Sequence, residues 1–256
     1  MKLTKTTTLK ALFLSTFTAI SMAATAEVND TIEKTFNLNS DGKIRLENIN
    51  GNVTFKACDC SQVTMVANIS ASSQEMRDRI SIDIDDSSDR LSIKTKYKKN
   101  RGSSWNNERS EVVYTLQVPN TVNLDGINLV NGDLKISGVS GELDADLVNG
   151  DLDSDGLSSS TRVNMVNGDI TLKFSDLTNA DKVDLESVNG KIEVYMPAHA
   201  DVSVSAETVS GQISNEFGLN VIKHKYVGSE MKGNVGSGRV TLNMDNVNGK
   251  IALKSL

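Results

Sequence analysis

Two cysteines, two histidines and a periodic set of aspartates are the residues of this 256-residue chain whose types and spacing could do chemistry. Cys58 and Cys60 flank a single residue. In an extended strand, residues i and i+2 lie roughly 6.5 to 7 Å apart, at the edge of what a disulfide spans, so a bridge needs a turn, for which Asp59 and Ser61 are suitable. A local disulfide, an unpaired dithiol and a redox or metal-binding pair are the open readings. A closed metal site is disfavoured, because His199 and His224 have no ligand-like spacing to the cysteines. Asp83, Asp85, Ser87 and Asp89 begin like a calcium loop, but Ser88 stands where such a loop needs glycine and Lys94 where it needs a bidentate glutamate. That stretch reads as a solvated hairpin tip. Asp133, Asp151 and Asp169 recur at a constant step, with Lys191 ending the series; they read as a charged rim that keeps the protein soluble, or as a weak column for a divalent cation. Lys94, Lys96, Lys98, Lys99 and Arg101, with Tyr97 and the sole tryptophan Trp105, form the one basic segment. Its lysines either guard an edge strand against pairing or contact an anionic envelope polymer or partner.

Nothing in the chain points to catalysis. There is no nucleophile elbow, zinc-protease helix or phosphate-binding loop, and neither histidine sits in a triad context. Carboxylate pairs are abundant in so acidic a chain, and abundance removes their diagnostic value. No cofactor is expected.

The elements that must position these residues are strands. From Thr31 to about Asn120, Phe36 and Leu38, Ile44 and Leu46, Val53 and Phe55, and Val63 and Met65 each enclose one polar residue, the period-two pattern of half-buried strands. Ser72-Ser73-Gln74-Glu75 fits a capping box for one short helix reaching about Arg79, and Ser81 to Tyr97 reads as a hairpin turning at residues 86–89. Beyond Ile127 one phrase recurs. It runs Val130-Asn131-Gly132-Asp133-Leu134, then Val148-Asn149-Gly150, Val166-Asn167-Gly168, Val188-Asn189-Gly190, Val209-Ser210-Gly211 and Val247-Asn248-Gly249, with Ile49-Asn50-Gly51 as an early copy. The first three repeat glycines are 18 residues apart and the next steps are 22 and 21. At the 18-residue step, Ile127 falls on Ala145 and Val163, Leu129 on Leu147 and Met165, and Leu134 on Leu152 and Ile170. Apolar thus falls on apolar, and the pattern predicts an all-β fold: a β-solenoid of stacked 18–22 residue coils over 127–256, preceded by a small N-terminal β region with one short helix over 27–126. Asn-Gly suits the corners because both residues tolerate positive φ, and stacked asparagines can hydrogen-bond along the axis.

The ends and the charge address location. Lys2, Lys5 and Lys10 precede an apolar run from Ala11 to Met22 and the small-x-small pattern Ala24-Thr25-Ala26, which predicts a secretory signal over 1–26 cleaved between Ala26 and Glu27. The run is too short for a membrane anchor, and no later segment is apolar enough to span. Losing those three lysines and no acid takes the formal charge from −6 to −9, which argues against nucleic acid as a partner. A periodic chain of this kind, periplasmic or secreted, is expected to meet an envelope protein or a glycan.

With these residues in view, the chain resembles the bacterial family of domains of unknown function labelled "putative adhesin", related to the head domains of predicted autotransporter adhesins. The resemblance rests on Leu116-Gln117-Val118-Pro119 leading into the first coil, the Val-Asn-Gly series, Tyr195-Met196-Pro197-Ala198 before Val209-Ser210-Gly211, and Gly236-Ser237-Gly238 before Val247-Asn248-Gly249. It implies a β-helix-like fold outside the cytoplasm and supplies no site residues. Cys58-Asp59-Cys60 departs from its pattern. The expected function is an envelope binding or scaffold module; the alternatives are an accessory of envelope-stress signalling and a polysaccharide-acting β-helix enzyme.

Overall fold

A chain that must turn a corner and still pair on both sides needs a corner residue with no side chain in the way. Gly190 shows why: its φ is +138°, and a Cβ there would sit 1.8 Å from the carbonyl oxygen of Gly168 in the next layer. The computed structural model describes residues 27–98 and 109–256; the predicted signal segment and Lys99, Arg101 and Trp105 lie outside them.

The strands are, in chain order, β1 (Val28–Asn37), β2 (Lys43–Asn50), β3 (Val53–Cys58) and β4 (Gln62–Ala71), then a helix α1 (Gln74–Asp78), then β5 (Ile80–Asp86), β6 (Arg90–Tyr97) and β7 (Ser110–Pro119). The repeats supply β8 (Asn123–Asn131), β9 (Leu134–Ser137), β10 (Leu143–Asn149), β11 (Leu152–Asn167), β12 (Ile170–Asn189) and β13 (Ile192–Met196). Then come β14 (Val202–Ser210), β15 (Ile213–Asn215), β16 (Val221–Lys223), β17 (Ser229–Val235), β18 (Val240–Asn248) and β19 (Ile251–Ser255). The fold is all-β, one nearly closed sheet with almost no helix. The short helix forms where the capping pattern places it, but its cap is Ser73, whose hydroxyl accepts from the Met76 amide, one residue beyond the Ser72 of the Ser72–Glu75 box.

Each Asn-Gly corner divides a layer into two arms, and like arms pair. On the first face the order is β5, β6, β2, β8, β10, the second half of β11, the second half of β12, β18, β14, β17, β16. On the second it is β1, β4, β7, β3, β9, the first halves of β11 and β12, β13, β19, β15. Pairing is parallel through the middle of both orders. It turns antiparallel at both ends of the first order and at the β1–β4–β7 end of the second. The register is the one the 18-residue step predicts: Ala145 lies beside Ile127 and Val163, Leu147 beside Leu129 and Met165, Leu152 beside Leu134 and Ile170. All nine are buried in a single aliphatic core.

Two expectations change. The parallel ladder does not begin at Ile127, because β2 pairs with β8 and β3 with β9 across some 80 residues of chain, so residues 43–58 form a layer of the same stack rather than part of a separate region. Nor do the later layers follow chain order. The Gly190 amide donates to Asn248, and the Gly249 amide donates to Ser210. The layer holding Val247-Asn248-Gly249 is therefore inserted between those of Asn189-Gly190 and Ser210-Gly211, and the 21-residue step from Gly190 to Gly211 is not a stacking step.

Candidate binding face

The corners themselves are spent on holding layers together. Asn131, Asn149, Asn167, Asn189 and Asn248 each donate a side-chain amide to the asparagine of the preceding layer, from Asn50 onward, at 2.9 to 3.1 Å. The ladder ends where Ser210 replaces asparagine. The aspartate series works beside it. Asp133 accepts from the Asp151 amide at 3.0 Å, Asp151 from the Asp169 amide at 2.8 Å, and Asp169 from the Lys191 amide at 2.8 Å. One oxygen of each carboxylate thus caps a backbone donor of the next layer, a structural use additional to the two readings of the series. Lys191 closes the series, 3.8 Å from Asp169 and 3.0 Å from Glu193.

The basic segment is likewise engaged. Its β6 is not an edge strand, since β5 pairs on one side and β2 on the other. Lys94 is ion-paired with Glu47 and Lys96 with Asp83. Tyr97 is half-buried, and burial, with the Glu111 charge adding to it, pushes its phenol up to about 12. Lys98 donates its backbone amide to Arg79. Of this proposed contact, the described residues thus place Lys94 and Lys96 in local ion pairs.

Cys58 and Cys60 form a disulfide, their Cα atoms drawn to 5.2 Å by a bend at Asp59 at the end of β3. Alkylation of the isolated protein under denaturing, non-reducing conditions should therefore modify neither cysteine, and reduction should expose two thiols; two modified cysteines without reductant would show that no bridge closes.

What the repeats leave open is the outer side of the first face. Strand alternation puts Leu129, Leu147 and Met165 inward, so the next residue in each layer points out. Val148, Val166 and Val188 are each 40% exposed, Val130, Val247 and Ile49 within two points of that, and Val209 is 53% exposed. In stacking order they form one apolar stripe. Two residues earlier on each strand a second outward row runs parallel to it: Asp146, Asn164, Glu186, Asp245 and Glu207. Between the rows lies a shallow groove of about 510 Å³, whose lining also includes Leu147, Met165, Ser187 and Asn246. Its charge is unbalanced. Burial raises the Asp245 pKa, and Glu207, Glu186 and Asp184 raise it further. Lys232 answers Glu207 at 2.9 Å and Glu230 at 3.6 Å. The valines belong to the very phrase that marks the repeats, and period two counted outward from Leu129 places Val130 on the surface.

The comparisons with known proteins address the family and the fold. The chain belongs to the Toastrack DUF4097 family, whose profile matches residues 37–254. Among curated proteins none matches it. Its fold is similar to that of a "putative cell adhesion protein" from Clostridium sporogenes ATCC 15579, at 16% identity and a TM-score of 0.52, covering 90% of this chain and all of that one. It is also similar to a "putative adhesin" from Bacteroides fragilis NCTC 9343, at 14% identity and a TM-score of 0.43, covering 89% of this chain and 97% of that one. No helix among the described residues is long and apolar enough to cross a membrane.

Proposed function

We propose that this chain is an exported, non-catalytic binding module of the bacterial envelope, a β-solenoid that presents the valine stripe and acidic row of its first face to a partner. The carrying observation is the stripe: seven aliphatic side chains held outward in one line, on a protein whose core has no shortage of apolar residues. The solenoid reading is supported by parallel, in-register pairing of successive layers and by the asparagine ladder that crosses five of the stacking steps. Export is supported by the basic, apolar and small-residue order of residues 1–26. A binder is favoured over a polysaccharide-acting enzyme because no aromatic residue lines the groove and its acids form a row along one wall rather than facing each other across a cleft.

The immobilised mature chain should retain a component of an envelope extract that a Val166→Lys/Val188→Lys variant does not retain, with both proteins melting alike. Equal retention by the two would remove the face from the reading, and cleavage of a retained glycan would overturn its non-catalytic character.

A further inference from the structure

The groove has a complement on the same molecule. Strand β16 and the turn after it expose Ile222, Tyr226 and Val227, at 47, 87 and 64%. Lys223, His224 and Lys225 lie between them and are exposed as well. The segment is basic and apolar, whereas the groove is acidic and apolar. Neither Lys223 nor Lys225 forms an ion pair among the described residues, and the same holds for Asp146, Glu186 and Asp245. Lysines and carboxylates without ion-pair partners on one side of the molecule are complementary charges that a second copy can bring together.

Register shows that both features lie on one face. Glu207 is beside Glu230, and Glu230 beside Ile222, so Ile222 continues the acidic row's line past the last layer. Gly228 packs against Thr208 and Val209, which sets the basic turn at the end of the valine stripe. The turn therefore extends the groove's end and cannot fold back into it without breaking the β16–β17 pairing. A second copy can reach it. With a two-fold axis lying in the plane of this face and crossing the groove, each copy's turn would meet the other's groove, and one operation satisfies both contacts.

We infer that the first face is the self-association surface of this protein: in a two-fold pair, the basic and apolar turn of each copy, Ile222 to Val227, seats on the acidic, valine-lined groove of the other. This deepens the binding reading above by naming a second copy as one partner of the same face. The contact is rimmed by exposed charges, so it belongs to the weak, salt-sensitive class.

Sedimentation of the mature chain over micromolar to near-millimolar concentrations should show a reversible dimer that weakens as salt is raised. Lys223→Glu/Lys225→Glu should weaken it by about tenfold or more, as should Glu186→Lys/Asp245→Lys, since about 1.4 kcal/mol across the lost pairs is a factor of ten. An equimolar mixture of the two variants should dimerise again, because each turn then faces a groove of opposite sign. A wild-type monomer throughout, a dimer indifferent to either reversal, or variants that fail to complement each other would overturn the inference. Retention of an envelope component by a monomeric wild-type chain would leave the binding reading standing while this one fell; a dimer with no retained component would do the reverse.

Discussion

Deletion of residues 240–256 should abolish cooperative folding of the whole chain rather than trim one end of it. The segment forms β18 and β19, which lie inside the stack, between the β12–β13 layer and the β14–β15 layer. Five of its large side chains, Val240, Leu242, Met244, Ile251 and Leu253, are at most 2% exposed. At about 1.5 to 3 kcal/mol for each, their burial is worth on the order of 10 kcal/mol, as much as the entire stability of an ordinary domain. Polar contacts add to this at the seam. Lys254 is 2.7 Å from Glu193 and stacks over the Tyr195 ring of β13, while Asn246 donates to the Gly190 carbonyl. Without the segment, β12 and β13 become open parallel edges and residues 202–235 lose their main partner. The truncated protein should aggregate or show an early, broad denaturant transition, with proteases cutting first within 202–239, and a peptide spanning 238–256 should restore part of the lost structure. A single sharp transition within about 1 kcal/mol of the full chain would mean that β14 and β15 can close directly on β12 and β13.

That insertion also shows where legibility in the sequence ends. Register within a layer follows from period-two alternation, since a slip of one residue would turn Leu147 out and Asp146 in, and the 18-residue step carries the register from layer to layer. The helix start is equally local and legible to within one residue, whereas the Cys58 and Cys60 pair is legible only as one of several open readings. Which layer lies next to which is a different kind of fact. Val188-Asn189-Gly190 and Val209-Ser210-Gly211 are consecutive phrases in the chain, and no spacing rule reveals that Val247-Asn248-Gly249 separates them. The stretch from Glu216 to Arg239, which lacks the phrase and instead forms the β16–β17 excursion, is the only trace of the detour. The edge-strand reading of Lys94 and Lys96 changes for the same reason: β2, the strand that makes β6 an interior strand, lies 47 residues earlier in the chain. The direction of the repeated valines is not given by the phrase itself and follows only when period two is counted from Leu129.

Leu147→Asp should destabilise the protein by about 4 kcal/mol or more, Leu147→Asn by roughly half as much, and Asp146→Leu by less than about 0.5 kcal/mol. Leu147 is 2% exposed and stands between Leu129 and Met165 in a column that becomes polar at both ends. Asn48 precedes Leu129, and Ser187, Asn246 and Thr208 follow Met165, all buried. The column tolerates those polar residues because most can donate to the corner. Asn48 reaches the Gly51 carbonyl at 3.0 Å, Asn246 that of Gly190 at 2.8 Å, and Thr208 that of Gly249 at 3.1 Å. An asparagine at 147 loses apolar burial but can adopt the same donation to a corner carbonyl. An ionised aspartate has no proton to give and would set a carboxylate against carbonyl oxygens in a dry column, or take up a proton at further cost. Asp146, one residue away, points outward and accepts a bond from Asn164 at 2.8 Å in solvent, so replacing it removes little stability while lengthening the apolar face. Denaturant melts of the three variants read the order directly. Equal losses for Leu147→Asp and Leu147→Asn would remove the corner carbonyls from the account, and a larger loss for Asp146→Leu than for Leu147→Asp would mean that the strand faces are the reverse of those described.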